Sequence, residues 1–235
     1  MQVNLSFTKR NFSAICCTAL LTCFSTSSIA TDAFQAVYKA NVKEKLNFSG
    51  TLKRNLSQQA NGQWLLKDNI SSLFASIEES SVINISGNKV QPLKYHYLRK
   101  VVGKKKKRDI DFDWKTKQAT NRDNKKIALI ANTQDALSYQ LQLQLDVKSG
   151  KRGKLSYNVA KKGSIDVMKF VEIGTEVVDT PMGKLKSIKL KLDRGSNAKR
   201  ETFIWFSIKH NYIISKLYQK ESDGDSYSLV LNKLS

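Results

Sequence analysis

From Thr31 to Ser235 the chain repeats with a period of two. Phe34, Ala36, Tyr38, Ala40 and Val42 alternate with Gln35, Lys39, Asn41 and Lys43. Ile110, Phe112 and Trp114 alternate with Asp109, Asp111 and Asp113, and Ile188, Leu190 and Leu192 alternate with Lys189, Lys191 and Asp193. Successive side chains of a strand point to opposite faces, so each run has one apolar and one wet face. That argues for an antiparallel sheet covered on one face, and against a parallel α/β sheet, whose strands are continuously apolar.

Turn signals separate the runs. Asn61-Gly62, Gly87-Asn88, Gly103, Ser149-Gly150, Gly163, Pro181-Met182-Gly183, Gly195-Ser196-Asn197 and Asp223-Gly224-Asp225 supply the positive-φ or side-chain-capped positions that hairpins need. Their spacing predicts about ten strands in a meander. No linker or break in composition divides residues 31–235, which are therefore expected to form a single β-rich domain.

One segment obeys two rules at once. Leu137, Tyr139, Leu141, Leu143, Leu145 and Val147 keep a strand-like spacing of two. The residue types (Ala, Leu, Gln) and the preceding Thr133 and Asp135 instead suit a capped helix. On a helical wheel the apolar residues fall on two arcs, so such a helix requires burial on both sides. The expected architecture is mainly β: one curved antiparallel sheet forming an open or half-closed barrel, with a helix near residues 134–147 against the concave side.

The first thirty residues read differently. Lys9 and Arg10 precede an apolar run from Ala14 to Phe24, and Ser28 and Ala30 stand at the small-residue positions of a cleavage site. This is the pattern of a signal peptide cut after Ala30. The run is shorter than the roughly twenty apolar residues of a spanning helix. Leu20-Leu21-Thr22-Cys23 offers an alternative, a lipoprotein anchored through Cys23, although Thr22 replaces the usual small residue before the modified Cys. Cys16, Cys17 and Cys23 all lie in this leader, so the mature chain holds no cysteine and no thiol chemistry.

The chain carries 40 Lys+Arg against 20 Asp+Glu, a net charge of +20, and loss of Lys9 and Arg10 with the leader brings it to +18. Apolar residues make up 40% of the chain, too many for a disordered basic tail. Its mean hydropathy of −0.41 is too low for an integral membrane protein. The run Lys104, Lys105, Lys106, Lys107 and Arg108 is a candidate basic patch for anionic lipid or glycan. The bland reading is a solvated hairpin turning at Gly103. Export argues against nucleic acid as a partner.

No catalytic signature emerges. Asp109, Asp111 and Asp113 lack the Gly and Glu of a calcium loop and read as a strand's wet face, paired with lysines across the ladder. His96 and His210 lack metal-ligand spacing, so no metal and no cofactor is expected. Tyr38, Phe112, Trp114, Leu137, Tyr139, Leu141, Phe170 and Trp205 are candidates to line an apolar ligand cavity inside the curved sheet.

In their order along the chain, several segments resemble the bacterial domain of unknown function 3108 family. They are Phe34-Gln35-Ala36-Val37-Tyr38, Gln91-Pro92-Leu93-Lys94-Tyr95-His96-Tyr97, Asp111-Phe112-Asp113-Trp114 with Asn121, and Asp135-Ala136-Leu137-Ser138-Tyr139-Gln140. Asp179-Thr180-Pro181-Met182-Gly183-Lys184-Leu185 and Trp205 before Asn211-Tyr212 complete the set. The resemblance implies an exported β-rich protein of unknown activity and a helix beginning near Asp135. It supplies no catalytic residue. The chain departs from the family where Ile213 follows Tyr212 in place of a frequent Pro.

The functional expectation is a non-catalytic periplasmic binding or accessory protein of the Gram-negative envelope, with an apolar or amphiphilic ligand in the sheet's concavity. The alternatives are an interaction module that pairs with an envelope protein through strand edges, and an unrecognised envelope hydrolase.

Overall fold

A computed structural model of the chain describes residues 31–43, 48–72, 75–101 and 103–235. The expected leader, its cleavage point and Cys23 lie outside the described residues. The alternating runs form one sheet. Its first half comprises β1 (Phe34–Lys43), β2 (Phe48–Gln58), β3 (Trp64–Ser71), β4 (Ala75–Ser86), β5 (Lys89–Val101), β6 (Lys104–Asp113), β7 (Gln118–Asn121) and β8 (Lys126–Ala128). The one helix among the described residues, α1 (Ser138–Lys148), follows. The second half is β9 (Lys154–Ala160), β10 (Ile165–Thr180), β11 (Gly183–Asp193), β12 (Glu201–Ser207), β13 (Ile214–Lys220) and β14 (Ser226–Leu234).

Strand order is β8 back to β1, then β14 back to β9, and every paired neighbour is antiparallel. The sheet curls until it is nearly a barrel. Its two edges, β8 and β9, face a seam that the connecting segment fills. There the Gln134 N–H donates to the Asn158 carbonyl at 2.7 Å, and the Ala160 N–H donates to the Gln134 carbonyl at 2.8 Å.

The expected period-two faces hold. Register aligns Ala36, Arg54, Asp68 and Glu79 in one inward row across β1 to β4, and Tyr38, Leu52 and Ile70 in the next. Among the described residues there are fourteen strands, more than the roughly ten that the turn signals predict. The difference lies in turns made without glycine. Lys117 (φ 52°) turns the chain after β6, Asn124 (φ 56°) after β7, and Asn211 and Tyr212 (φ 53° and 55°) after β12. Left-handed backbone is uncommon outside Gly and Asn, so nothing in the residue types of Lys117 or Tyr212 announces a turn.

The helix starts where the chemistry places it. Asp135 Oδ1 accepts the backbone N–H groups of Leu137 and Ser138 at 2.8 and 2.7 Å, and Ser138 Oγ accepts the Asp135 N–H at 2.9 Å. This reciprocal box satisfies donors that a helix start leaves unpaired. The two apolar arcs then pack against two different walls. Leu143 and Val147 join a cluster with Phe170, Ile188, Leu190, Ile204 and Leu231. Leu137, Leu141 and Leu145 join a second cluster with Leu56, Leu66, Ile83, Ile110 and Phe112. Burying each such side chain contributes roughly 1.5–3 kcal/mol.

Candidate functional site

The helix closes one end of the barrel. Gln142 Nε2 donates to the Asn88 carbonyl in the β4–β5 turn at 2.7 Å, and Gln142 Oε1 accepts the Val90 N–H at 2.7 Å. Gln144 Nε2 donates to the Asn211 carbonyl in the β12–β13 turn at 3.3 Å. With these contacts α1 lies between the two buried clusters and contributes leucines to both. A cavity of about 200 Å³ lies against both clusters, between α1 and the strand ends around β1. Its apolar wall comprises Phe34, Leu141, Leu145, Ile213 and Leu234, and Asp32, Gln144, Lys148 and Asn211 stand around it.

The rim of this cavity is tied together. Asn211 Nδ2 donates to Asp32 Oδ2 at 3.0 Å. Gln35 and Ser235 exchange backbone hydrogen bonds at 2.7 and 2.9 Å, which fastens the end of β14 to the start of β1. Asn211 and Tyr212 occupy consecutive left-handed positions, closed by the Ile213 N–H donating to the His210 carbonyl at 2.9 Å. Asn accepts that backbone readily, whereas a bulky Tyr is strained in it. Cavity wall and strained turn therefore coincide.

The residues that the sequence nominates as a ligand cavity are dispersed. Leu141 lines the cavity. Tyr38 and Phe170 are 2% and 0% exposed in the first cluster, while Phe112 and Leu137 are buried in the second. Tyr139 stacks on Phe170 at 5.9 Å, and Trp114 stacks on Phe112 at 6.3 Å while its Nε1 donates to the Pro92 carbonyl at 2.7 Å. Trp205 lies on the outer face, opposite to its core-facing neighbour Ile204. It is covered there by the ammonium groups of Lys189 and Lys216, each 4.9 Å from its ring, and its Nε1 donates to Glu176 at 3.2 Å. Bonds from Lys189 and Trp205 hold the Glu176 carboxyl below the usual range.

The barrel's interior also carries charge. Arg54 and Asp68 form a bidentate pair at 2.8 and 2.6 Å, each 7% exposed at the side chain, and Gln140 on α1 accepts from the same guanidinium at 2.9 Å. Burial raises the Glu79 carboxyl to about 7, against the Tyr95 hydroxyl that donates to it at 2.6 Å. Asp135, deeper still, is also raised by burial, although Ser81 and the helix start bond to it. No period in the sequence distinguishes Arg54, Asp68 or Glu79 from wet-face residues. Their inward position emerges only from register with Ala36.

Of the basic run, Lys104, Lys105, Lys106 and Lys107 are exposed at the β5–β6 hairpin. Arg108 is half-buried, with its guanidinium 5.5 Å from the centre of the Tyr97 ring. Burial pushes the Asp109 carboxyl upward, but hydrogen bonds from His96 and Lys107 outweigh it and bring the group below its ordinary value. Asp111 pairs with Lys94 across the ladder at 3.7 Å, and Asp113 accepts the backbone N–H groups of Lys115 and Thr116. Among the described residues no three His, Cys, Asp or Glu side chains gather as a metal site, and no helix is long and apolar enough to cross a membrane.

Comparison with solved structures finds a beta-barrel-like protein of domain of unknown function DUF1849 from Brucella abortus. It is 10% identical, with a TM-score of 0.55 over 86% of this chain and 97% of that one, which supports the barrel-like fold. A "putative lipoprotein" from Parabacteroides distasonis is 11% identical over 87% of this chain and 96% of its own, with a TM-score of 0.31. No curated protein matches the sequence. The family model of the protein of unknown function DUF3108 matches residues 36–231, from the second residue of β1's inward face to Leu231 of β14, and the chain belongs to that family.

Proposed function

We propose that this protein is a non-catalytic binding or accessory protein of the Gram-negative envelope, exported to the periplasm, that holds the apolar end of an amphiphilic ligand between α1 and the barrel. The observation that carries this reading is the cavity of about 200 Å³, with its apolar wall and a polar, strained rim. Pockets for whole drug-sized ligands run from about 300 to 1,000 Å³, so the occupant is a chain end or small apolar group rather than an entire lipid. The signal-peptide pattern of residues 1–30 supports export with cleavage after Ala30, and the Cys23 box supports a lipoprotein as the alternative. The strongly basic surface favours ligands or partners with an anionic head, lipid or glycan.

Native mass spectrometry of the protein purified from the bacterial envelope tests this. The expected spectrum shows an adduct of lipid-class mass that leaves at raised collision energy and is lost in Ala33→Trp, because Ala33 lines the cavity at its exposed rim and a larger side chain there fills it. A bare mass for the unaltered protein in repeated preparations contradicts it. A second reading has its own support: β10 runs past its pairing with β9, which ends at Val171, and shows Ile173 and Val177 there at 47% and 55% exposure. An envelope protein retained on that edge, instead of a small adduct, favours an interaction module.

A further inference from the structure

At the opposite rim, away from the α1 cavity, two turns rich in cations are clasped together. Asn121, 6% exposed, is the clasp. Its Oδ1 accepts the backbone N–H groups of Asp123 and Lys125, both at 2.9 Å, which shapes the β7–β8 turn. Its Nδ2 donates to the Lys162 carbonyl in the β9–β10 turn. The two turns, with the neighbouring stretch of β6, enclose a cavity of about 90 Å³ lined by Lys107, Arg108, Arg122, Lys161 and Lys162 against Asp109 and Asp123.

The acids do not balance this set. Asp109 is engaged by His96 at 2.6 Å and Lys107 at 3.3 Å, and Lys161 reaches out to Asp166 at 2.5 Å. Among the described residues no ion pair joins Arg108, Arg122 or Lys162 to a carboxylate. The adjoining hairpin compounds the excess, because Lys100 stands directly opposite Lys105, and Arg99 opposite Lys106. Like charges opposed across a ladder are destabilising, as is holding two cationic turns side by side. A buried amide that clasps such turns works against repulsion that a bound anion relieves.

We propose that this seam cavity is a binding site for a phosphate group, monoester or diester, whose oxygens meet Arg108, Arg122 and Lys162. The cavity suits one compact oxyanion and excludes an acyl chain, so the rest of a phosphorylated ligand lies outside it. A guanidinium offers paired donors that match phosphate oxygens. The site lies apart from the α1 cavity and does not depend on what fills it.

The test uses the full chain with two probes at matched ionic strength. Inorganic phosphate is titrated and followed by ³¹P NMR line broadening, and flotation is measured with phosphatidylcholine vesicles with and without phosphatidylglycerol. The expected result is saturable binding of at least one probe, weakened about tenfold or more in Arg122→Gln/Lys162→Gln and unchanged in Lys39→Gln/Lys199→Gln, which removes the same charge elsewhere. Saturation by inorganic phosphate assigns the site to free phosphate compounds, and response to phosphatidylglycerol vesicles alone assigns it to a lipid headgroup. If neither probe separates the two double variants, the site does not exist and the surplus is general surface charge.

Discussion

Glu79 is where the barrel's interior registers pH. Its carboxyl lies in the row of Arg54 and Asp68, accepts the Tyr95 hydroxyl and is raised by burial to about 7 from an ordinary value of 4.5. Between those two values the folded chain holds a proton that the unfolded chain has released. Glu79 therefore contributes stability fully below about pH 4.5 and loses it as pH rises through about 7. Gln cannot ionise and keeps an oxygen for Tyr95. Urea unfolding from pH 5 to 8 is expected to show Glu79→Gln gaining on the unaltered protein as pH rises, by about 2–3 kcal/mol at pH 8. A constant difference across that range contradicts the burial assigned to this carboxyl. The neighbouring Arg54–Asp68 pair differs in kind, because each partner supplies the other's countercharge and Gln140 takes a further guanidinium donor. Removing one partner from such a pair costs more than replacing both with apolar groups.

The stretch that forms α1 keeps a spacing of two that suits a strand. The capping chemistry decides for the helix. Asp135 and Ser138 bond reciprocally, and Ser81 donates to Asp135 Oδ2 at 2.5 Å from β4, so the cap also anchors the helix to the sheet. Asp135→Ala is expected to lower unfolding stability by about 1–2 kcal/mol and to speed amide exchange in the first turn of α1 before the rest of the helix. Uniform exchange along α1 would argue that the cap is incidental. The sheet itself was legible from alternation, since Phe34 to Val42 and Ile188 to Leu192 display their two faces directly. The extra strands were not: β7 (Gln118–Asn121) and β8 (Lys126–Ala128) are short and polar, and left-handed Lys117 and Asn124 join them to the meander.

At the scale of the molecule, the sheet curls around a helix that fills the space its curvature creates. Aromatic residues with the right alternation, such as Tyr38, Phe112 and Phe170, are consumed as core. Space survives where β1, α1 and the β12–β13 turn meet. That meeting joins residues near 33, 145 and 212, and no local pattern connects them. Only Leu141 of the nominated ligand residues lines that space, because alternation reports which face a side chain takes and not which faces fail to meet. The seam cavity was similarly hidden. Its basic run was visible at Lys104 to Arg108, but Asn121 and Lys162 come together only when β8 and β9 close on each other.

Whether the α1 cavity holds an acyl chain is decided by fluorescence titration with a medium-chain acyl probe. One saturable site is expected on the unaltered protein. Ala33→Trp is expected to weaken binding about tenfold or more, while Val167→Trp, exposed on β10 away from the cavity, leaves it unchanged. Absence of saturable binding, or equal weakening by both substitutions, would contradict acyl binding there.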